Sequence, residues 1–365
     1  MTHIQPSAFS LQHSAVTFVI MAGGKGERLW PLVREGKPKV CLAPDGDRTL
    51  LQRTIDRLRP IYPTADWLIV TTQGQAEAIR ASLPARMRRA VLVEPAIKNT
   101  AACVGLAATW VAKRHPEGIM VVVPADHWID QEDNFRATLR TAIDAAATHA
   151  TLVTIGIRPT HAHPGLGYLC AGTSVRATGH ARTFRLARFV EKPPAEAARA
   201  LLKRGRTYWN SGMFIGPART FLKSLAIHLP KHARHLALLA DATSTSFARQ
   251  AQRAYQPLEA ISFDHGVMNH WQGGLIVEGN FGWADLGSWD IWARLGQASS
   301  RTVMVESQNV TVVGHNGHLV ATVGVRDLVI VQTPSVTLVC HPDRAQAVRE
   351  IVKRIATEPA LASYR

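Results

Sequence analysis

At 365 residues, 46% of them hydrophobic, the chain has ordinary globular composition and room for one large α/β domain and a smaller one. Its formal net charge of +15 would suit nucleic acid, an anionic membrane or anionic small substrates, but arginine is spread along the chain with no basic tail and no aromatic-interleaved stripe. A general surface bias is therefore expected, with weak off-target RNA binding and no specific nucleic-acid partner. No apolar run approaches the roughly 20 residues of a membrane helix. Cys41, Cys103, Cys170 and Cys340 lie far apart with no C-x-x-C pair, which speaks against zinc and for reduced thiols in the cytoplasm.

Residues 1–15 read as a polar, flexible lead-in, without the basic start or apolar stretch of a signal peptide. The apolar, β-branched run 16–21 reads as a strand buried on both faces. It stops at Ala22-Gly23-Gly24-Lys25-Gly26-Glu27-Arg28, where the glycines allow a tight turn and close approach of backbone to a ligand. Backbone N–H groups in such a turn form an anion-binding concavity, and Lys25 and Arg28 add charge. Gly-Gly also makes ordinary turns, but two cations directly after a buried strand favour a chain of phosphates. The loop is neither common phosphate fingerprint: Glu27-Arg28-Leu29 break G-x-G-x-x-G, and no G-x-x-x-x-G-K-[ST] spacing occurs.

Further along, 49–59 places Leu51, Ile55 and Leu58 on one helical face, and strands are expected at 67–71 and 90–93. Glu94-Pro95-Ala96-Ile97-Lys98-Asn99-Thr100 leads into a helix whose first turn Asn99 or Thr100 would cap, with Lys113-Arg114-His115 at its negative end. A strand at 119–123 ends in Pro124-Ala125-Asp126-His127. Strands alternating with helices imply a mostly parallel sheet, with ligands outside the carboxyl ends of the strands. Asp126 after such a strand would face the phosphates and repel them unless a divalent cation, usually Mg²⁺, lay between. A lone Asp there is otherwise an Asx turn or helix cap. Asp126 and Asp285 have no nearby basic partner in the sequence.

A helix is expected at 131–148 and a strand at 151–157. His161 and His163 at i, i+2 are not joined by a carboxylate or thiol and read as ordinary loop histidines. Glu191-Lys192 sets a carboxylate beside an ammonium and, on its own, reads as a solvated strand end. Helices are expected at 194–204, 217–228 and 245–256. From about 300 the texture changes to short β-branched runs at 309–313, 318–322, 328–332 and 336–340, with His315-Asn316-Gly317 as one of the turns. An amphipathic helix follows at 344–355, with Ala347, Val348, Ile351 and Ile355 on its apolar face. The expected division is a lead-in at 1–15, a catalytic domain at 16–300 and a small β-rich domain with a closing helix at 301–365.

The run from Ala22 to Pro31, followed by Lys37-Pro38-Lys39, resembles the signature of the sugar-nucleotide pyrophosphorylases, in particular mannose-1-phosphate guanylyltransferases of the short monofunctional form. The resemblance continues through Glu94 to Thr100, Pro124-Ala125-Asp126-His127, Gly167-Tyr168, Phe189-Val190-Glu191-Lys192-Pro193, Trp209-Asn210-Ser211-Gly212-Met213-Phe214 and Phe281 to Trp289, and covers nearly the whole chain. It implies the nucleotidyltransferase fold, a Rossmann-like α/β domain with a small β-rich C-terminal domain. It implies transfer of GMP from GTP to α-D-mannose 1-phosphate by in-line attack, with pyrophosphate leaving. Ala22, Gly23, Gly24, Gly26, Glu94, Asn99 and Thr100 would then bind the nucleotide. Lys25 and Arg28 would hold the departing pyrophosphate, Lys39 a phosphate and Lys192 the attacking phosphate. Gly167, Glu191 and Asn210 would hold the sugar, and Asp126 and Asp285 a Mg²⁺ ion, with Mn²⁺ as a substitute. A homodimer is compatible with the resemblance.

Five positions depart from the pattern. Leu166 replaces an aromatic, Val40-Cys41 follow Pro38-Lys39 where Gln-Phe is usual, and His265 and Asn269 replace an aromatic and a glutamate in Ser262-Phe263-Asp264-His265-Gly266-Val267-Met268-Asn269. These leave two alternatives open: the same chemistry with another base or hexose 1-phosphate, or a nucleotide-sugar-binding homologue without turnover.

Overall fold

The computed structural model describes residues 15–44, 46–176, 179–243, 246–294, 301–314 and 318–365; the lead-in 1–14 and the turn at 315–317 lie outside them. Four strands make the first half of the main sheet: β1 (Val16–Met21), β2 (Asp66–Thr72), β3 (Val91–Glu94) and β4 (Ile119–Pro124), all parallel. After β4 a short strand, β5 (His127–Ile129), leaves the sheet. The second half comprises β6 (Val153–Ile157), β7 (Tyr168–Val175), β8 (Thr183–Val190), β9 (Thr207–Pro217) and β10 (Leu275–Gly279). The order across the sheet is β3-β2-β1-β4-β9-β6-β10-β8-β7.

The nucleotidyltransferase fold forms as expected and its sheet is mostly parallel, with β10 also parallel to β6, but the direction reverses at β9 and at β8. β9 lies antiparallel to both β4 and β6, and β7 and β8 form an antiparallel pair. Apolar runs report burial, not direction, and the short link between β7 and β8 leaves no room for the crossover a parallel pair needs.

Burial on both faces explains the unbroken apolar strands. Phe18 and Ile20 of β1 pack with Leu51, Ile55, Phe135 and Leu139 on one side, whereas Val19 packs with Leu106, Phe221 and Leu225 on the other. Each such side chain contributes about 1.5–3 kcal/mol by leaving water. The helix Leu50–Leu58 opens with a capping box, in which Thr49 accepts from the Gln52 N–H and the Gln52 side chain accepts from the Thr49 N–H. The helix Asn99–Arg114 starts differently from expectation. Asn99 has φ +64°, and its Oδ1 accepts only from the adjacent Thr100 N–H. Thr100 Oγ1 accepts from Phe263 N–H, 2.8 Å away, so neither residue caps that first turn.

Beyond the sheet, β11 (Trp283–Asp285) pairs antiparallel with β5. The C-terminal strands are β12 (Thr302–Val305), β13 (Gln308–Val313), β14 (Val320–Val323), β15 (Arg326–Gln332) and β16 (Thr337–Cys340). β12 pairs with β14 and β13 with β15, both parallel and one coil turn apart, and β16 closes antiparallel on β15. The closing helix begins as a 3-10 turn, Pro342–Ala347, and becomes α-helical only at Val348–Thr357. Val348, Val352 and Ile355 face the core, whereas Ile351 is 37% exposed, contrary to the expected face.

This C-terminal unit rests on the glycine-loop side of the catalytic domain. Leu29, Trp30, Trp289 and Trp292 share one apolar cluster with Val329, Val331, Val348 and Ile355. Trp289 Nε1 donates to Trp30 O and Trp30 Nε1 to Tyr364 O, each at 2.9 Å.

Candidate active site

The glycine loop leaves β1 between two anchors: Ala22 N–H donates to Val70 O and Thr71 Oγ1 donates to Ala22 O. Gly26 has φ +64°, and a Cβ there would stand 2.9 Å from Lys39 Cβ, so only glycine fits. A Cβ at Gly24 would meet open space, which leaves that backbone free to face a ligand. Lys25 is exposed, with an ion pair to Glu27 at 3.6 Å. The Arg28 guanidinium donates to Gln346 Oε1 of the C-terminal unit at 3.0 Å.

A cavity of about 440 Å³ opens beside this loop, lined by Lys25, Trp30, Thr72 and Glu94 and bordered by Val352 and Arg365. Glu94 ends β3 and is 6% exposed; burial pushes its carboxyl up to about 7, against a hydrogen bond from Tyr255 OH at 3.2 Å. Asn99 and Thr100 contribute through the turn they build at Phe263, with no side chain placed in the cavity wall. Val40 is buried in the core beneath the loop, and Cys41 is half-buried with its thiol against Ala78 O. At these two departures from the family pattern the side chains pack against the protein.

Asp126 follows β4 directly, and the β5–β11 ribbon sets Asp285 opposite His127. The two carboxylates, 159 positions apart in sequence, therefore converge. They also acquire the basic partner that the sequence did not reveal. Lys39, 5% exposed, places Nζ 2.5 Å from Asp126 Oδ2 and 3.4 Å from Asp285 Oδ1. Burial opposes the charge on both partners, yet the attraction prevails. The Lys39 ammonium is held above the usual lysine value and the Asp126 carboxyl below the usual range. The expectation that Lys39 reaches out to a phosphate thus meets a lysine already engaged with two carboxylates.

His127 joins this group, with ligand atoms of Asp126, His127 and Asp285 all within 4.8 Å of one another. Its Nδ1 accepts from Trp283 Nε1 at 3.1 Å, and burial holds the imidazole below its ordinary pKa. Two carboxylates converging beside a phosphate-loop candidate are the hard-oxygen donor set that Mg²⁺ takes, with water and phosphate oxygens completing the shell. The donor set fits such a cation, which would share the carboxylates with Lys39.

The residues expected to hold a sugar lie on the second half of the sheet. Glu191 Oε1 pairs with Lys192 Nζ at 3.0 Å, and Lys192 is turned to φ +41°. A Cβ on Gly167 would come 2.7 Å from Glu191 Oε2, so this glycine is needed for the carboxylate to approach. The Gly167 carbonyl accepts from Asn210 N–H at 2.8 Å. The Asn210 side chain, 8% exposed, accepts at Oδ1 from Gly212 N–H and donates from Nδ2 to Asp264 Oδ1 at 2.6 Å. Asp264 is an addition to the residues expected here. Its signal is present in Ser262-Phe263-Asp264, but nothing in the sequence brings that segment to β9. His161 and His163 rest against the Trp209 ring, and among the described residues the only group with metal-ligand geometry is that of Asp126.

Residues 17–300 match the family model Nucleotidyl transferase, and residues 300–355 match the MannoseP isomerase/GMP-like beta-helix domain. The chain is 36% identical to a mannose-1-phosphate guanylyltransferase of Escherichia coli, over 93% of this chain and 73% of that protein. It is 34% identical to another from Sinorhizobium fredii, over 93% and 67%. A solved structure from Thermus thermophilus, described as a mannose-1-phosphate geranyltransferase, aligns with TM-score 0.82 at 31% identity, covering 93% of this chain and 99% of that one. A Helicobacter pylori structure described as a mannose-6-phosphate isomerase shares the fold over 74% of this chain and all of that one, at 23% identity and TM-score 0.59. By the match over residues 17–300 and by these relatives, the chain belongs to the nucleotidyl transferase family, in its mannose-1-phosphate guanylyltransferase branch.

Proposed function

We propose that the protein transfers GMP from GTP to α-D-mannose 1-phosphate, giving GDP-mannose and pyrophosphate. The observation that carries this reading is a set of groups that suits both substrates: a glycine loop with two exposed cations, a buried carboxyl in the adjoining cavity, and a carboxylate–amide cluster that suits a sugar. A phosphate monoester is itself a nucleophile, so its oxygen can attack the α-phosphorus in line while the bond to the pyrophosphate oxygen breaks. No covalent intermediate on the protein is required. The chain's own task is alignment and charge neutralisation.

In this reading Lys25, Arg28 and the loop amides hold the departing pyrophosphate, and Lys192 steadies the attacking phosphate. Glu94 supports guanine over other bases, since a buried carboxylate suits the adjacent N–H donors of that base. Glu191 and Asn210 receive the sugar. Asp126 and Asp285 would hold Mg²⁺, or Mn²⁺, which when bound neutralises charge developing on the α-phosphate. Lys39 keeps the two carboxylates together and charged. The four unpaired thiols support a reducing, cytoplasmic setting. Among the described residues no helix is long and apolar enough to cross a membrane.

The deciding experiment mixes the protein with Mg²⁺, each of the four nucleoside triphosphates and a panel of hexose 1-phosphates, and measures pyrophosphate release. Release confined to GTP and mannose 1-phosphate is expected. Preference for another pair would transfer the reading to that pair, and no release with any pair would leave a binding homologue.

A further inference from the structure

We propose that Asp264 is a second acceptor for the sugar's hydroxyls, so that Glu191 and Asp264 together read two hydroxyls of the hexose 1-phosphate. The inference deepens the proposed function and rests on it. Three elements meet at this point: Asn210 from β9, Glu191 from the end of β8, and the π-helical turn Asp264–Met268. Insertions of this kind are frequent at functional sites.

Asp264 is not needed to orient the Asn210 amide. The Gly212 N–H on Oδ1 already decides which way that amide faces, 3.2 Å away. A neutral acceptor would serve the Nδ2 group equally well. What a carboxylate adds is a charged acceptor, and its presence here has a cost, because it faces the negative charge of Glu191. The charged groups that bear on it are Glu191 and Lys192, and Lys192 is already paired with Glu191. Burial first, and then Glu191, push the Asp264 carboxyl up to about 6. A buried carboxylate held within the field of Glu191, whose own partner is the exposed Lys192, is costly in the empty protein and useful when donors arrive. Sugar hydroxyls are such donors, and hydrogen bonds to charged acceptors are the stronger kind.

The test is Asp264→Asn, whose side-chain oxygen can still accept from Asn210 while the charge is gone. The KM for mannose 1-phosphate is expected to rise on the order of tenfold, with the KM for GTP within about twofold. Among monodeoxy mannose 1-phosphates, the variant should lose discrimination at one hydroxyl and keep it at the one read by Glu191. In the parent, the sugar KM should rise as pH falls through about 6, where the carboxylate becomes protonated, and the rise should be smaller in the variant, where only the substrate's own phosphate, titrating near about 6, contributes. The stability change has the opposite sign from a structural role. A carboxyl with a raised folded-state pKa weakens the fold above that pKa, so Asp264→Asn should leave Tm unchanged or higher at pH 7.5. A lowered Tm with both KM values moving together, or an unchanged sugar KM, would overturn the assignment. Failure of the functional reading looks different, since the parent itself would then release no pyrophosphate. Calorimetric titration of mannose 1-phosphate into parent and variant measures the same contrast without turnover.

Discussion

Two carboxylate pairs stand at the two ends of the candidate site, held in opposite ways. Asp126 and Asp285 close on a buried ammonium, so their mutual repulsion is compensated before any ligand arrives. Glu191 raises the Asp264 carboxyl while its own partner is the exposed Lys192, so this pair keeps its repulsion. The first arrangement is stable when empty and must exchange part of its pairing with Lys39 to take a divalent cation. The second waits for donors that a sugar would bring. Opposite electrostatic states in one fold separate a centre built to keep its charges in place from one built to respond to a ligand.

The largest expected effect breaks the first pair. Asp126→Asn and Asp285→Asn should each lower kcat by about a hundredfold or more, because the cation that neutralises transition-state charge is lost. GTP binding should survive better than turnover, since Lys25, Arg28 and the loop amides remain. Activity should require added Mg²⁺ or Mn²⁺ and disappear with EDTA. Full turnover in EDTA, or near-normal specific activity in the folded fraction of both variants, would remove the metal from this account.

Removing the lysine sharpens the same contrast through stability. Lys39→Ala would leave Asp126 and Asp285 facing each other without compensation, which should cost about 3 kcal/mol, the low end for a broken buried pair because Asp285 is 45% exposed. The variant should regain Tm as Mg²⁺ is titrated in, and the parent should respond much less. Equal Mg²⁺ responses in both proteins would mean that lysine and cation do not compete for these carboxylates.

At the other end, Glu191→Gln should raise the KM for mannose 1-phosphate far more than that for GTP, with a loss of about 1.5–3 kcal/mol for one charge-assisted bond. The substitution also relieves the repulsion on Asp264, so Tm should hold or rise, the reverse of Lys39→Ala. An unchanged sugar KM would take Glu191 out of the sugar site.

Much of this was legible in the sequence because it is local. Unbroken apolar runs marked β1, β2 and β4, and the glycine loop declared itself by three glycines and two cations directly after a buried strand. What was not legible depends on distance in space. Lys39 reads as one more cation near the loop until β5 and β11 pair and bring Asp285 over it. Asp264 is invisible as a site residue until its turn meets β9. Helical periodicity put Ile351 on the apolar face of the closing helix, but the 3-10 start at Pro342 shifts the phase and Val352 takes that place. The direction of β9 could not be read either, since burial on both faces is the same for a strand running either way.

The smallest expected effect concerns the two departures that follow Asp264. His265 and Asn269 replace an aromatic and a glutamate of the family pattern, and on the sequence alone each looks like damage beside the sugar. The structure places them against each other, with Asn269 Nδ2 and His265 Nδ1 3.4 Å apart on the outer side of the π-helical turn. His265 is exposed and Asn269 half-buried, while Asp264 turns inward to Asn210. The two replacements therefore form one local exchange on the far side of the turn from the acid pair. Asn269→Glu should accordingly change kcat and both KM values by no more than about threefold and shift stability within about 0.5 kcal/mol, as surface substitutions do. The contrast with Asp264→Asn, one residue from His265, makes the comparison sharp: a charge removed on the inner side should alter the sugar KM, and a charge added on the outer side should not. If the parent proves inert and Asn269→Glu alone restores pyrophosphate release, the departures are functional and the protein is a binding homologue that lost its turnover at this position.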